Sequence, residues 1–92
     1  MDYQKDVQIF KALCDEKRLA ILGLLQQGEK CACELIEATT MKQSALSYHM
    51  KVLCDSGLVT ACPEGKWTHY SLSVSGAQVA IKRLKILTNL NE

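Results

Sequence analysis

Little in this sequence would export the chain, anchor it or staple it. No apolar run approaches the roughly 18 residues that a membrane span requires. The start, Met1-Asp2-Tyr3-Gln4-Lys5-Asp6, has neither the basic cluster nor the apolar stretch of a secretory signal. A cytoplasmic chain without membrane contact is the expectation. One proline in 92 residues and 5% aromatics leave no proline-rich linker, and no repeat or low-complexity segment occurs. No Cys-x-x-Cys is present, so neither a thioredoxin-type redox pair nor a zinc ribbon is signalled. The P-loop, His-Glu-x-x-His and Gly-x-Gly-x-x-Gly patterns are missing too. The two histidines have no convincing nucleophile partner, and an enzyme is not expected.

With 48% hydrophobic and 23% charged residues, the composition is that of a globular chain, and 92 residues make one domain, 1–92. Its core must be thin and leans on staples, metal or a partner subunit. Five cysteines, Cys14, Cys31, Cys33, Cys54 and Cys62, are an odd number without an export signal, which favours thiols over a disulfide framework. The net charge of +1 hides an asymmetry: residues 1–37 carry seven acids and five bases (−2), residues 38–92 three acids and six bases (+3). Between Glu37 and Asp55 there is no acid, while Lys42 and Lys51 lie there. Surfaces that meet phosphate have this character.

Hydrophobic period and punctuation predict four helices, a hairpin and a long final helix. Tyr3, Val7, Phe10 and Cys14, spaced four, three and four, form a stripe of the first helix. Asp15 caps the second, whose apolar face holds Leu19, Ile21, Leu22 and Leu25 and which Gly28 stops. Residues 31–38 make a short third helix with Leu35 and Ile36 inward. A fourth runs from about Gln43 to Cys54 and is closed by Gly57. Leu58–Cys62 and Trp67–Leu72 read as strands, with Cys62-Pro63-Glu64-Gly65 suited to a type I turn. The last helix begins near Ser73 or Ser75 and reaches about Leu90, with Ala77, Ala80, Ile81, Leu84 and Leu87 on its apolar side.

The fourth helix has two faces. Leu46, Met50 and Leu53 fall on one; Ser44, Ser47, Tyr48 and Lys51, at i, i+3, i+4 and i+7, fall on the other. A short helix, a tight turn and a helix with a polar outer face are the helix-turn-helix pattern, and the hairpin after it reads as a wing. The fold class is therefore mainly α, an α+β winged helix-turn-helix. Gln43, Ser44, Ser47 and Tyr48 can reach base edges or phosphates in a major groove, with Gln43 and Ser47 best placed for bases. Lys51 and, at the wing tip, Lys66 are phosphate candidates. Arg18 either touches the backbone of DNA or pairs with Asp15 at the surface. His49, near the buried side of its helix, reads as a hydrogen-bonded structural residue. His69 reads as exposed or near phosphate, Tyr70 as packing the wing onto the body, and Trp67 as doing the same or lining the DNA side.

Met41 to Leu53 (Met-Lys-Gln-Ser-Ala-Leu-Ser-Tyr-His-Met-Lys-Val-Leu), followed by Asp55-Ser56-Gly57-Leu58-Val59, resembles the recognition segment of ArsR/SmtB-type repressors. So do Ala12-Leu13 with Asp15, Arg18, Ile21 and Leu22 upstream, and Gly65-Lys66-Trp67 with Tyr70-Ser71-Leu72 in the wing. The likeness spans about residues 7–90. It implies a homodimeric winged-helix repressor that leaves its operator DNA when an inducer, often a thiophilic metal ion, binds. Cys31-Ala32-Cys33-Glu34-Leu35 resembles the Cys-x-Cys box of the family's arsenite, cadmium and lead sensors. Four features depart from the family. The arsenite branch often has a third cysteine where Ile36 stands. The cadmium and lead branch adds cysteines from an N-terminal arm of which this chain has little. Zinc and cobalt sites use His and acids on the last helix, where this chain has no His and only Glu92 nearby. Position 42 is usually a small cap; Lys42 caps poorly, and Thr40 is the substitute expected.

Cys31 and Cys33, two apart, point in nearly opposite directions on a regular helix, so one ion held by both would have to unwind the first turn. Such a pull on the helix supporting the reading helix would lower DNA affinity by linkage. Lys30 favours thiolate there and Glu34 opposes it. Thiolates select soft ions: arsenite or antimonite first, cadmium or lead next, with a distant cysteine or an exogenous thiol as third sulfur. Packing is the expected role of Cys14, Cys54 and Cys62. Leftover apolar residues on the first and last helices (Val7, Ile9, Phe10, Ala77, Ala80, Leu84 and Leu87) predict a two-fold dimer, with reading helices one DNA turn, roughly 34 Å, apart on an inverted repeat. A thiol redox or persulfide sensor on the same scaffold and a protein-interaction module are the alternatives.

Overall fold

A computed structural model describes residues 2–91; Met1 and Glu92 lie outside them. Asp15, with extended backbone, accepts the N–H groups of Lys17 (2.8 Å) and Arg18 (3.3 Å). That cap satisfies two donors orphaned at a helix start and separates α1 (Gln4–Leu13) from α2 (Glu16–Leu25). A two-residue strand β1 (Lys30–Cys31) leads into α3 (Ala32–Thr39), then come α4 (Gln43–Asp55), β2 (Val59–Glu64), β3 (Trp67–Leu72) and α5 (Val74–Leu87). β3 lies between β1 and β2, antiparallel to both. The architecture is the winged helix-turn-helix expected, with one strand more than the hairpin alone.

The core gathers Ala12, Ile21, Leu25, Leu35, Leu46, Met50, Leu53, Leu58 and Val59. α2, α3 and α4 thus seal one another, and full burial of each large side chain stabilises by about 1.5–3 kcal/mol. Tyr70 and Leu22 pack partly against this cluster, while Leu19 stays half exposed.

Three expectations change. The hairpin turn is Gly65-Lys66 rather than 62–65, because Glu64 pairs with Trp67 and Pro63 with Thr68. A two-residue loop needs positive φ at its first position, and Gly65 has φ +60°; Pro63 is tolerated because β2 is an edge strand. On α1 the inward stripe is Ile9 and Ala12, joined by Asp6. Tyr3, Val7 and Cys14 are exposed and, with Phe10 and Leu87, line an open, mostly apolar depression of about 590 Å³. Ile9 thus belongs to the interior, not to leftover surface. α5 has no fully buried residue and ends at Leu87, leaving Ile81, Leu84 and Leu87 exposed.

Candidate nucleic-acid interface and thiol pair

α4 buries Leu46, His49, Met50 and Leu53, a stripe at i, i+3, i+4 and i+7. The opposite face therefore points away from the body, and Gln43, Ser44, Ser47, Tyr48 and Lys51 are all exposed on it. Lys51 Nζ pairs with Asp55 at 3.0 Å across one turn, an exposed bridge that a phosphate can exchange for. Lys66 is exposed at the hairpin tip, with Trp67 partly exposed behind it. Lys42 is the N-cap of α4 and makes no side-chain cap bond. Thr40 does not replace it: its backbone is left-handed at φ 56°, it ends α3, and its hydroxyl donates to the Thr39 carbonyl.

Arg18 is buried rather than on a DNA face, and the ion pair expected with Asp15 forms with the arginine side covered. Its Nε donates to the Ala12 carbonyl (2.9 Å) and Nη2 to the Lys11 carbonyl (3.0 Å), closing the C-terminal end of α1. Nη1 lies 2.9 Å from His49 Nδ1. Guanidinium only donates, so in this contact Nδ1 accepts and the ring N–H is the one on Nε2. One side chain thereby ties α1 and α2 to the middle of α4. Asp15, 3.9 Å from Nη1, helps balance the charge. Burial pushes its carboxyl up, but the N–H groups of Arg18 and Lys17 and the nearby positive charge leave it lowered overall.

The sheet sets the surroundings of the thiols. Cys31 pairs with His69 of β3, and His69 pairs with Cys62 of β2. His69, expected exposed or near phosphate, is mostly covered, and its near neighbours are acids, Glu64 at 3.3 Å and Glu29 at 3.8 Å. Tyr70, one residue on, packs against the core as expected, and burial raises its hydroxyl pKa.

Cys31 is not inside the helix. It is the N-cap of α3, with extended backbone (φ −77°, ψ 159°). Its Sγ accepts the Glu34 N–H at 3.3 Å, and its own N–H donates to Glu34 Oε1 at 2.9 Å, a reciprocal capping box with sulfur in the place of a hydroxyl. This one-residue offset overturns the expectation of opposed thiols. The Cα atoms of Cys31 and Cys33 are 5.3 Å apart and the two sulfurs are joined as a disulfide, so the pair converges without unwinding α3. Cys14, Cys54 and Cys62 are free thiols; only Cys54 is partly buried, and Cys14 and Cys62 are exposed rather than packed as expected. Burial, helped by Asp55, pushes the Cys54 thiol up, which keeps it protonated and unreactive. Cys62 lies two strands from Cys31, roughly 10 Å at the usual strand spacing, too far to share an ion. Among the described residues no three His, Cys, Asp or Glu side chains converge as a metal site, and no helix is long and apolar enough to cross a membrane.

Residues 15–61 match the model of the bacterial regulatory protein, arsR family. The chain is 46% identical over 71 residues to the arsenical resistance operon repressor of Bacillus subtilis, covering 76% of this chain and 68% of that one. It is 40% identical over 92 residues to that of Staphylococcus aureus, covering 100% and 88%. The homodimeric winged helix-turn-helix DNA-binding domain of a possible ArsR-family regulator from Mycobacterium bovis superposes with a TM-score of 0.73 at 29% identity, covering 96% of this chain and 82% of that one. With helix faces, wing and sequence in agreement, the chain belongs to the ArsR family of bacterial regulatory proteins, transcriptional regulators rather than enzymes.

Proposed function

We propose that the protein is a homodimeric repressor that holds an inverted-repeat operator and releases it when a thiophilic ion binds Cys31 and Cys33. Arsenite or antimonite is the favoured inducer, with cadmium or lead next. Gln43, Ser44, Ser47 and Tyr48 face the major groove, and Lys51 and Lys66 face phosphate. The exposed apolar faces of α1 and α5 form the dimer contact; Val7, Leu84 and Leu87 are exposed in the single chain.

The observation that carries this reading is the position of Cys31. Its sulfur caps the helix that packs on α4, and its backbone pairs with the wing strand. When the pair is reduced, a soft divalent cation displaces the two thiol protons, whereas arsenite or antimonite exchanges two of its hydroxyl groups for the two sulfurs and the thiol protons leave with them as two waters; either competes for the sulfur that accepts the Glu34 N–H. The helix start and the β1–β3 pairing then shift together. A coupling of about 1–3 kcal/mol changes operator affinity by about 5- to 150-fold. Two sulfurs suit a soft ion; a third sulfur for arsenite comes from an exogenous thiol, because no other cysteine of this chain converges there.

The test is an operator-binding titration of the reduced protein with arsenite, antimonite, cadmium, lead and zinc, repeated on Cys31→Ser and Cys33→Ser. One soft species releases the wild type and neither variant. Release that persists unchanged in both variants refutes the site.

The closed Cys31–Cys33 bond favours a second reading, a thiol redox sensor on the same scaffold. A dithiol reductant supplies two electrons and two protons, the sulfur–sulfur bond breaks and two thiols form. Mass spectrometry separates the readings: a bound metalloid under reducing conditions supports the first, and a disulfide or polysulfide bridge that tracks loss of DNA binding supports the second.

A further inference from the structure

Gly76 lies in the first turn of α5, where glycine is a poor helix former. A Cβ at this position would lie 1.8 Å from the Gly57 carbonyl oxygen and 2.6 Å from its carbon. The contact is backbone on backbone, so no side chain can turn aside. The other helical glycine, Gly23, has nothing within 4 Å of such a Cβ. Gly57 is the residue with φ +87° just beyond α4. The same junction is fastened by Ser73 N–H to the Leu58 carbonyl (2.9 Å) and by Gly76 N–H to Ser73 Oγ (3.0 Å). Two turns on, Arg83 grips Asp6 of α1 with two hydrogen bonds of 2.6 and 2.9 Å. α5 buries no residue fully, so these fasteners aim the helix more than they build the core.

We propose that Gly76 is a positioning residue for operator reading, setting the angle between α4 and α5 and hence the separation of the two reading helices. The inference rests on the dimer through α1 and α5 proposed above. A Cβ must retreat from 1.8 Å to at least 3.0 Å, a shift of more than 1 Å at the seat. Arg83, seven residues on, is about 10 Å away along the helix. Pivoting there tilts α5 by about 6–7°. Carried over half of a roughly 34 Å helix separation, that moves each reading helix by about 2 Å. Across the dimer the change is about one base-pair rise.

The experiment enriches bound duplexes from a randomised 30-base-pair pool with wild type, Gly76→Ala, and the pair Asp6→Asn with Arg83→Met. The pair releases the second fastener without adding bulk or leaving a buried charge. Sedimentation gives the oligomeric state of each. The wild type is expected to enrich an inverted repeat of one spacing. Gly76→Ala keeps the half-site and either changes the spacing by a base pair or loses at least tenfold of the advantage of two half-sites over one. The double variant accepts a wider range of spacings, and carries the test if Gly76→Ala does not fold. Dimeric variants with wild-type spacing and affinity overturn the role of Gly76 and leave the dimer standing. A monomeric wild type overturns both.

Discussion

Replacing Arg18 with methionine tests the tie between α1 and the reading helix. Methionine keeps much of the buried volume and removes every donor. The Lys11 carbonyl also accepts the Cys14 N–H at 3.1 Å, so it keeps a partner. The Ala12 carbonyl and His49 Nδ1 lose the donors that reach them from Arg18. Each buried acceptor left without a partner costs about 1–3 kcal/mol, giving a loss of about 2–6 kcal/mol, a large part of the 5–15 kcal/mol typical of a domain. Urea unfolding measures it as a lower midpoint at constant slope. In a His49→Ala background the same substitution costs less, with a coupling of about 0.5–3 kcal/mol between the two. Arg18→Lys keeps the charge but not the planar fork, and recovers only part of the loss. A loss below about 1 kcal/mol for Arg18→Met, or strict additivity with His49→Ala, would refute the account of Arg18 as the tie.

Three further outcomes are expected. Arg83, hydrogen-bonded to Asp6 and attracting its charge, holds that carboxyl below its ordinary 3.8 despite burial. The stabilisation is therefore complete above about 3.8 and is lost as pH falls through the lower folded value. The gap in urea midpoint between wild type and Asp6→Asn should shrink on acidification through that window, and a gap that widens contradicts the pair. Lys66→Ala should weaken binding to all duplexes alike and reduce the slope of log affinity against log salt by about 1.8, about 0.9 for each of the two copies in the dimer; a sequence-dependent loss with unchanged slope removes Lys66 from the phosphate contacts. Leu46→Ala, emptying a fully buried site shared by α4 and the core, should cost about 2–5 kcal/mol in urea unfolding, and a cost under about 1 kcal/mol would show that the α4 seat collapses freely.

Local chemistry made the reading helix legible. The buried positions 46, 50 and 53 and the exposed positions 44, 47, 48 and 51 repeat within a single helix, so the 3.6-residue period separates the two faces without any partner. The cap at Asp15 and the stop after α4 are equally local, since each involves groups within a few residues. The match of three ordered segments to the ArsR pattern is likewise a property of the sequence alone. On α1 the same period marks an apolar stripe, but periodicity cannot say whether a stripe faces its own core or a partner. The chain sends Ile9 and Ala12 inward and leaves Val7 and Tyr3 outside.

What required tertiary structure was decided by partners far away in sequence. Arg18 reads as a surface cation until His49, 31 residues on, and the end of α1 enclose it. The preference of Pro63 for a turn gives way to the β2–β3 register, which places the bend at Gly65-Lys66. β1, only two residues long, exists because β3 lies beside it. That pairing ends with Cys31 extended at the threshold of α3. Composition and spacing identify the two thiols, but whether they diverge or meet depends on where the helix begins, a boundary settled by cross-strand hydrogen bonds and a reciprocal cap rather than by helical period.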